Sequence, residues 1–365
     1  QGFKSDRQVL PPRAVAAADA HRGLSMARSA SLAIPLKPAG ERCNGRCWLL
    51  LQDACGLACT VITYALGIGS MTLADVSILI PRIARNGGWL GGPGSGLLGF
   101  ISLSSVTHLI GYNLAIILMI VSHLRCMVTN PGTAFNHLDP DFVQMMRREF
   151  QLQKAVPAGA GPQTRSKYEV MVLRTGRKWW CQKCDTFRPK HTHHCSTCRS
   201  CVLEMDHHCP WVNNCVGYQN YRYFCLFLFY LASCCCFVGV VFFEGFVESM
   251  NVRDKRHRRL TFDARQAVSL CWIIAVCICF ALCILGGFHL YLVLTNQTTI
   301  EFHGNLTNKS RARMHGEFWR NQYDLGRRRN FREVFGPNDF YGLLWAMPYI
   351  AKPPAGDGMS FPTWG

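Results

Sequence analysis

The residues best suited to chemistry lie between Cys181 and Cys215, where seven cysteines and five histidines occur within 35 residues. Their order repeats after a shift of 14 residues: a Cys-x2-Cys pair, then a histidine after nine residues, then a cysteine after six. The two copies consist of Cys181, Cys184, His194 and Cys201, and of Cys195, Cys198, His208 and Cys215.

This repeat has the composition of a pair of zinc sites. Zinc prefers four tetrahedral thiolate and imidazole ligands, and a Cys-x2-Cys pair supplies two of them at once. We therefore expect two structural zinc ions. Disulfides would need an oxidising compartment and would not explain the 14-residue period. The spacing leaves the histidines open, because His193 and His207 are 14 residues apart, as are His194 and His208.

One cysteine, Cys209, is left over once each zinc has four ligands. An imidazole beside a cysteine can take the thiol proton, and a carboxylate can orient the imidazole. Asp206 and His207 precede Cys209 and could act in this way if His208 binds zinc. The alternative is that Cys209 is a spare ligand, since it is aligned with Cys195.

The sequence DHHC at 206–209, inside the doubled pattern and followed by PWVNNC, resembles the DHHC-type protein S-acyltransferases, or palmitoyltransferases. The resemblance extends over about residues 47–340. Three further stretches resemble family motifs: Asn130-Pro131-Gly132, with asparagine in place of aspartate; Thr298-Thr299-Ile300-Glu301; and the stretch 321–336, with Asn330 at the characteristic asparagine.

The resemblance implies a role for each of these residues. It assigns His194 and His208 to the two zinc ions, each completed by the three cysteines of its copy. It makes Cys209 the nucleophile, His207 the general base and Asp206 the partner that orients His207. The implied reaction takes a fatty acyl group from acyl-CoA, usually palmitoyl-CoA, onto Cys209 and then onto a cysteine of a membrane-associated protein substrate.

The resemblance also implies an acyl-chain cavity between the membrane spans. Trp211 would shape its mouth, or else serve as an interfacial anchor. Cys234 matches the position that tunes chain length, and its small side chain predicts acceptance of chains at least as long as palmitate. Ordinary packing of a small apolar residue is the alternative.

Two sets of tail and surface residues have implied roles as well. Thr299 and Glu301 should dock the tail against the cysteine-rich domain, with a helix cap as the alternative. Asn330 should secure backbone near the spans. Three basic residues could face the CoA phosphates, although an ordinary solvated surface, or one facing anionic lipid, is the favoured account of any single one: Arg188, Lys190 and Arg222.

The elements that must position these residues are membrane spans. Of the 365 residues, 49% are hydrophobic and only 17% are charged. The apolar residues cluster in four runs, at about 47–80, 97–121, 223–246 and 267–294. We therefore predict a mainly α fold, a four-span transmembrane bundle with a cytosolic zinc-bound cysteine-rich domain between spans 2 and 3.

This prediction divides the chain into six parts. They are a disordered arm at 1–46, spans 1 and 2 at 47–128, a cytosolic linker at 129–178, the zinc domain at 179–222, spans 3 and 4 at 223–294, and a cytosolic tail at 295–365.

The distribution of charge predicts the orientation of the chain in the membrane and the kind of partner that it binds. The basic loop and tail place both termini and the zinc domain in the cytosol by the positive-inside rule, although a basic cluster at 253–259 argues against this. The net charge of +17 predicts an anionic partner such as lipid. Nucleic acid is not expected, because no basic recognition helix is present. The stretch near Asp53 resembles Golgi-resident members, so we expect the Golgi or another endomembrane.

A non-catalytic zinc scaffold tethered to the bilayer is the rival function. The intact set of Asp206, His207 and Cys209 favours the enzyme over the scaffold.

Overall fold

The structure, a computed structural model, describes residues 54–80, 96–134, 138–155, 180–250, 262–336, 344–348, 358 and 361–363. The predicted arm at 1–46 and the basic cluster at 253–259 lie outside the described residues.

Helices dominate the described chain. In order they are α1 (Ala54–Ala74), which continues through a π-helical turn (Asp75–Leu79), α2 (Gly96–Val128), α3 (Pro140–Ala155), α4 (Tyr221–Val241), α5 (Phe243–Met250), α6 (Phe262–Thr295), α7 (Thr299–Met314) and α8 (Arg327–Phe335), with 3₁₀ turns at Pro210–Val212 and Leu344–Ala346.

Four of these helices are long and apolar enough to cross a bilayer: Ala54–Leu79, Val106–Val128, Tyr221–Val241 and Phe262–Thr295, here called spans 1 to 4. The cysteine-rich module lies between spans 2 and 3. The predicted mainly α fold, with four spans and a cysteine-rich module able to bind metal between spans 2 and 3, is therefore confirmed.

Helix α3 lies in the region expected to be a linker. Its start has a local signal, because Asp139 precedes Pro140 and the Asp139 carboxylate accepts the backbone N–H of Asp141 at 2.8 Å. Two contacts hold α3 against the first hairpin of the module. Phe142 packs edge-on against Phe187, with ring centroids 5.4 Å apart, and Arg147 pairs with Asp185 at 3.0 Å.

The cysteine-rich module consists of three antiparallel hairpins. Their strands are β1 (Trp180–Cys181) with β2 (Thr186–Phe187), β3 (His193–Cys195) with β4 (Ser200–Val202), and β5 (His207–Cys209) with β6 (Asn214–Val216). His193 lies opposite Val202, and His207 lies opposite Val216. The second and third hairpins therefore repeat the same register with the 14-residue period of the sequence.

Two asparagines fix the module to the end of span 2. The side-chain amide of Asn214 donates to the carbonyls of Cys126, Met127 and Thr129 at 2.9–3.1 Å. That of Asn220 donates to the carbonyl of Cys126 at 3.2 Å. The last carbonyls of a helix have no partner within the helix, so these amides cap α2 and seat the third hairpin beneath it.

The tail is fixed to the same end of the bundle through Asn330. Its fully buried amide donates to the Leu294 carbonyl at 2.8 Å and to the Asp324 carboxylate at 2.7 Å, and it accepts the Leu325 N–H at 2.9 Å. Arg222 at the start of α4 donates to the Phe335 carbonyl at 3.0 Å. These bonds hold α8 against the ends of spans 3 and 4.

Replacing Asn330 with alanine should destabilise this end of the bundle. The change leaves a carbonyl, a carboxylate and an N–H without their partner, at a cost of about 1–3 kcal/mol. Thermal unfolding of purified protein in detergent measures the effect. Asn305→Ala is the matched control, because Asn305 is only half-buried and donates one bond to Gln297. Equal losses of stability in the two variants would contradict the anchoring role.

Candidate active site

Asp206, His207 and Cys209 come together on the third hairpin. His207 Nδ1 lies 2.6 Å from Asp206 Oδ2, and Cys209 is near enough to the imidazole to contribute to the raised pKa of His207. A carboxylate only accepts, so Nδ1 carries a proton and Nε2 is the nitrogen available to Cys209. This is the arrangement of a nucleophile, its base and the group that orients the base.

The electrostatics of the site favour a charged imidazole. Burial alone would lower the pKa of His207, but the hydrogen bond to Asp206 and the nearby Cys209 outweigh burial and raise the pKa to about 9. Burial would raise the pKa of Asp206, but the hydrogen bond and the positive charge of His207 lower it instead. His207 is therefore well suited to hold a proton taken from the thiol.

The Asp206 carboxylate is also bound by the first residue of α7. The Thr299 N–H donates to Oδ1 at 2.7 Å, and the Thr299 hydroxyl donates to Oδ2 at 2.8 Å. Asp206 thus sits at the positive end of the α7 dipole, where a carboxylate is stabilised.

The start of α7 is itself capped and held against the module. The Thr298 hydroxyl accepts the Glu301 N–H, and the Glu301 carboxylate accepts the Thr298 N–H, which completes a capping box. The same Glu301 carboxylate contacts the ring of His191 in the module. Glu301 therefore serves both as a cap and as a tail contact, two roles that the sequence presented as alternatives.

A residue that sequence reasoning missed, His289 of span 4, lies behind the site. Its ring centroid is 6.0 Å from that of His207 and 5.0 Å from that of Phe224, and its Nδ1 lies 3.0 Å from the Tyr221 hydroxyl. The sequence signal was a histidine within an otherwise uncharged apolar run, and such residues in spans often mark function.

The two Cys/His sets are assembled as the resemblance implied, and the ligand atoms of each set lie within 4.8 Å of one another. In the first set, His194 Nδ1 lies 3.1–4.0 Å from the three sulfurs; in the second, His208 Nδ1 lies 3.5–3.7 Å from them. A tetrahedral zinc with bonds of about 2.0–2.3 Å places nitrogen and sulfur roughly 3.6 Å apart. Both sets fit zinc, and four protein ligands leave no open position for catalysis.

The backbone explains why Cys209 is left out of both sets. Each hairpin turns through a residue with positive φ, namely Asp185, Arg199 and Asn213, at 49°, 53° and 47°. The residues just before them are Cys184, Cys198 and Val212. Cys209 therefore occupies the first cysteine position of a third metal-type turn in which valine replaces the second cysteine. This favours the nucleophile over the spare ligand.

An apolar cavity of about 750 Å³ opens beside Cys209. Its lining includes His207 and Cys209 at the catalytic end, Trp211, and, deeper in the bundle, Cys234. Trp211 is 51% exposed, as a residue at the mouth would be, whereas Cys234 is 4% exposed. The two predicted cavity residues thus line one continuous space with the thiol.

The basic residues near the site differ in their surroundings. Both terminal nitrogens of Arg222 bond the tail carbonyls of Phe335 and Trp345, so its side chain supports the tail. Arg188 is half-buried, and Lys190 is exposed and lies 4.9 Å from the centre of the Tyr323 ring.

Comparison with known proteins identifies relatives with one kind of activity. A family model described as DHHC palmitoyltransferase matches residues 174–305. The chain is 32% identical over 276 residues to human palmitoyltransferase ZDHHC20, covering 71% of this chain and 67% of the relative.

Two further relatives agree. Zebrafish palmitoyltransferase ZDHHC2 is 31% identical over 268 residues, which cover 70% of this chain and 67% of the relative. A probable protein S-acyltransferase 16 of Arabidopsis thaliana is 35% identical over 185 residues, which cover 50% of this chain and 62% of the relative. The matches thus span about two thirds of these relatives' length.

The ligand sets predict different metal contents for neighbouring histidine variants. His208→Ala should reduce bound zinc from two ions per chain to one, because it removes one of four ligands. His193→Ala is the matched control, since His193 occupies the position before a ligand and lies outside both sets. Elemental analysis of purified protein measures the ratio. Loss of zinc from His193→Ala, with two ions retained by His194→Ala, would reverse the assignment.

Proposed function

Because this chain belongs to the DHHC palmitoyltransferase family, we propose that it moves a fatty acyl group from acyl-CoA to protein cysteines through an acyl-enzyme on Cys209. The observation that carries the proposal is the position of Cys209, between a carboxylate-oriented imidazole and an apolar cavity. A zinc scaffold without catalysis would need neither feature.

The first half-reaction loads the enzyme. His207 Nε2 takes the proton of the Cys209 thiol, and the thiolate attacks the thioester carbonyl of acyl-CoA. The bond between the acyl carbon and the CoA sulfur breaks, and CoA leaves as a thiol with the proton from His207. Asp206 holds the imidazole ring and stabilises its charged form throughout.

The second half-reaction repeats this chemistry on a protein thiol. His207 takes the proton of a substrate cysteine, whose thiolate attacks the acyl–Cys209 thioester. The substrate becomes acylated, and Cys209 leaves as a thiol. One thioester is exchanged for another in each half, so the enzyme mainly contributes positioning and activation.

The membrane provides the acyl chain with an apolar environment. Burial of a chain contributes about 0.8 kcal/mol per methylene, and the cavity lined by the spans offers such a surface next to the thiol. Palmitoyl-CoA is the proposed donor, and two zinc ions are the proposed structural cofactors. The protein substrates would be membrane-associated proteins that present a cysteine at the cytosolic surface.

Two further proposals concern the residues that face CoA and the membrane in which the protein resides. Arg188 and Lys190 are the residues we propose to face the CoA phosphates. We also propose that the module and both termini face the cytosol of a Golgi or other endomembrane, on the strength of the basic tail and of the sequence around Asp53.

Purified protein incubated with labelled palmitoyl-CoA should acquire a hydroxylamine-sensitive label. Cys209→Ser should abolish it, and His207→Gln should reduce it by roughly a hundredfold or more while two zinc ions are retained. His193→Gln, the same change in the preceding hairpin, is the control and should label normally. A fully labelled Cys209→Ser protein would refute the acyl-enzyme.

A larger residue at Cys234 should shorten the accepted chain. The wild type should use stearoyl-CoA at least as well as palmitoyl-CoA, whereas Cys234→Phe should select against the longer donor. Exclusion of two methylenes corresponds to about 1.6 kcal/mol, or about 15-fold in relative kcat/KM. Cys236→Phe is the control, because Cys236 is exposed outside the cavity. Strong rejection of stearoyl-CoA by the wild type would contradict this role.

A further inference from the structure

A buried histidine in span 2, His123, is hydrogen-bonded through both ring nitrogens. Nε2 lies 2.8 Å from the carbonyl oxygen of Trp211, and Nδ1 lies 2.8 Å from the hydroxyl of Tyr64 in span 1. The side chain is 0% exposed. A polar residue placed within a span is costly unless it is fully bonded, so this position calls for a specific explanation.

The partners fix the tautomer of this imidazole. The Trp211 carbonyl can only accept, so Nε2 carries the proton. In a neutral ring Nδ1 then accepts from the Tyr64 hydroxyl. The ring also packs between aromatic neighbours, with centroids 5.1 Å from Tyr64 and 4.8 Å from Phe227. His123 therefore has a single orientation, set by span 1 on one side and span 3 on the other.

The carbonyl that His123 binds belongs to the turn directly after the thiol. Trp211 lies in the 3₁₀ turn Pro210–Val212, which follows Cys209 without a gap. The residue that follows the turn, Asn213, packs closely against span 1, since a Cβ added at Gly56 would lie only 2.2 Å from Asn213 Oδ1. Span 2 thus bonds the middle of the turn that follows Cys209, and span 1 packs against the residue after that turn.

We infer that His123, supported by Tyr64, is a positioning residue that holds the Pro210–Val212 turn and so fixes the Cys209 sulfur at the catalytic end of the cavity. The inference rests on the proposed acyl transfer. His123 does not line the cavity and is not one of the zinc ligands. It acts through the backbone of Trp211, on the geometry of attack rather than on acyl-CoA binding.

Single-turnover acylation of the full chain in detergent, with labelled palmitoyl-CoA, tests this role. His123→Phe retains the aromatic ring but removes both nitrogens, and it should lower the maximal acylation rate roughly 10- to 100-fold, as displacements near 1 Å do. The half-saturating palmitoyl-CoA concentration and the two zinc ions should be unchanged. Tyr64→Phe should lower the same rate to a smaller extent.

Rescue and a matched control separate positioning from general stability. His123→Gln, whose amide can still donate towards Trp211, should recover most of the rate. Tyr230→Phe also removes one buried hydroxyl bond, to the Ala346 carbonyl at 2.7 Å, but away from the turn, and should acylate normally.

The outcomes distinguish the inference from the proposed function. A wild type that forms no acyl-enzyme overturns both. If the wild type acylates and both His123→Phe and Tyr64→Phe acylate at the wild-type rate, only the positioning role is overturned. If His123→Phe fails to fold, Tyr64→Phe decides: a lower rate with zinc and thermal midpoint retained supports the role, and an unchanged rate rejects it.

Discussion

The arrangement of the site depends on the hydrogen bonds that the Asp206 carboxylate accepts. A carboxylate that is 2% exposed must be fully hydrogen-bonded to stay ionised. Its donors are His207 from its own hairpin and both polar groups of Thr299, which lies 93 residues further along the chain. The carboxylate that bonds His207, the proposed base, is therefore also held by the tail helix, although the tail contributes no reacting atom.

The repeat of one hairpin explains the position of Cys209, the proposed nucleophile. The module repeats one hairpin with a 14-residue period, and in two copies the turn holds a metal ligand pair. In the third copy Val212 replaces the second cysteine. Cys209 therefore keeps the same backbone position, while its sulfur is not a metal ligand. Zinc bound by the two Cys/His sets would support that backbone position, because structural zinc supplies folding energy to domains with little apolar core.

The sequence predicted whatever short-range spacing encodes, and missed what depends on contacts between distant segments. The four spans follow from local pattern, and the structure bears them out, whereas the spacing left the histidine of each ligand set open and only the family resemblance assigned His194 and His208, the histidines that the structure brings to the cysteines. Helix α3 was not predicted, because a short amphipathic helix within a basic stretch has the composition expected of a linker. The pairing of Thr299 with Asp206 and the tail contacts of Arg222 were unpredictable in detail, because no local rule links residues about 100 positions apart.

Two buried histidines of the spans lie close to the Cys209 site. Spans are stable when uniformly apolar, so each polar side chain inside them needs a compensating role. His123 binds the turn after Cys209, and His289 lies behind His207. Asn214 and Asn220 of the module bond the end of span 2 from the other side. The bundle and the cysteine-rich module therefore meet through hydrogen bonds made by the turn after Cys209 and by the end of span 2, so the position of the thiol depends on both units.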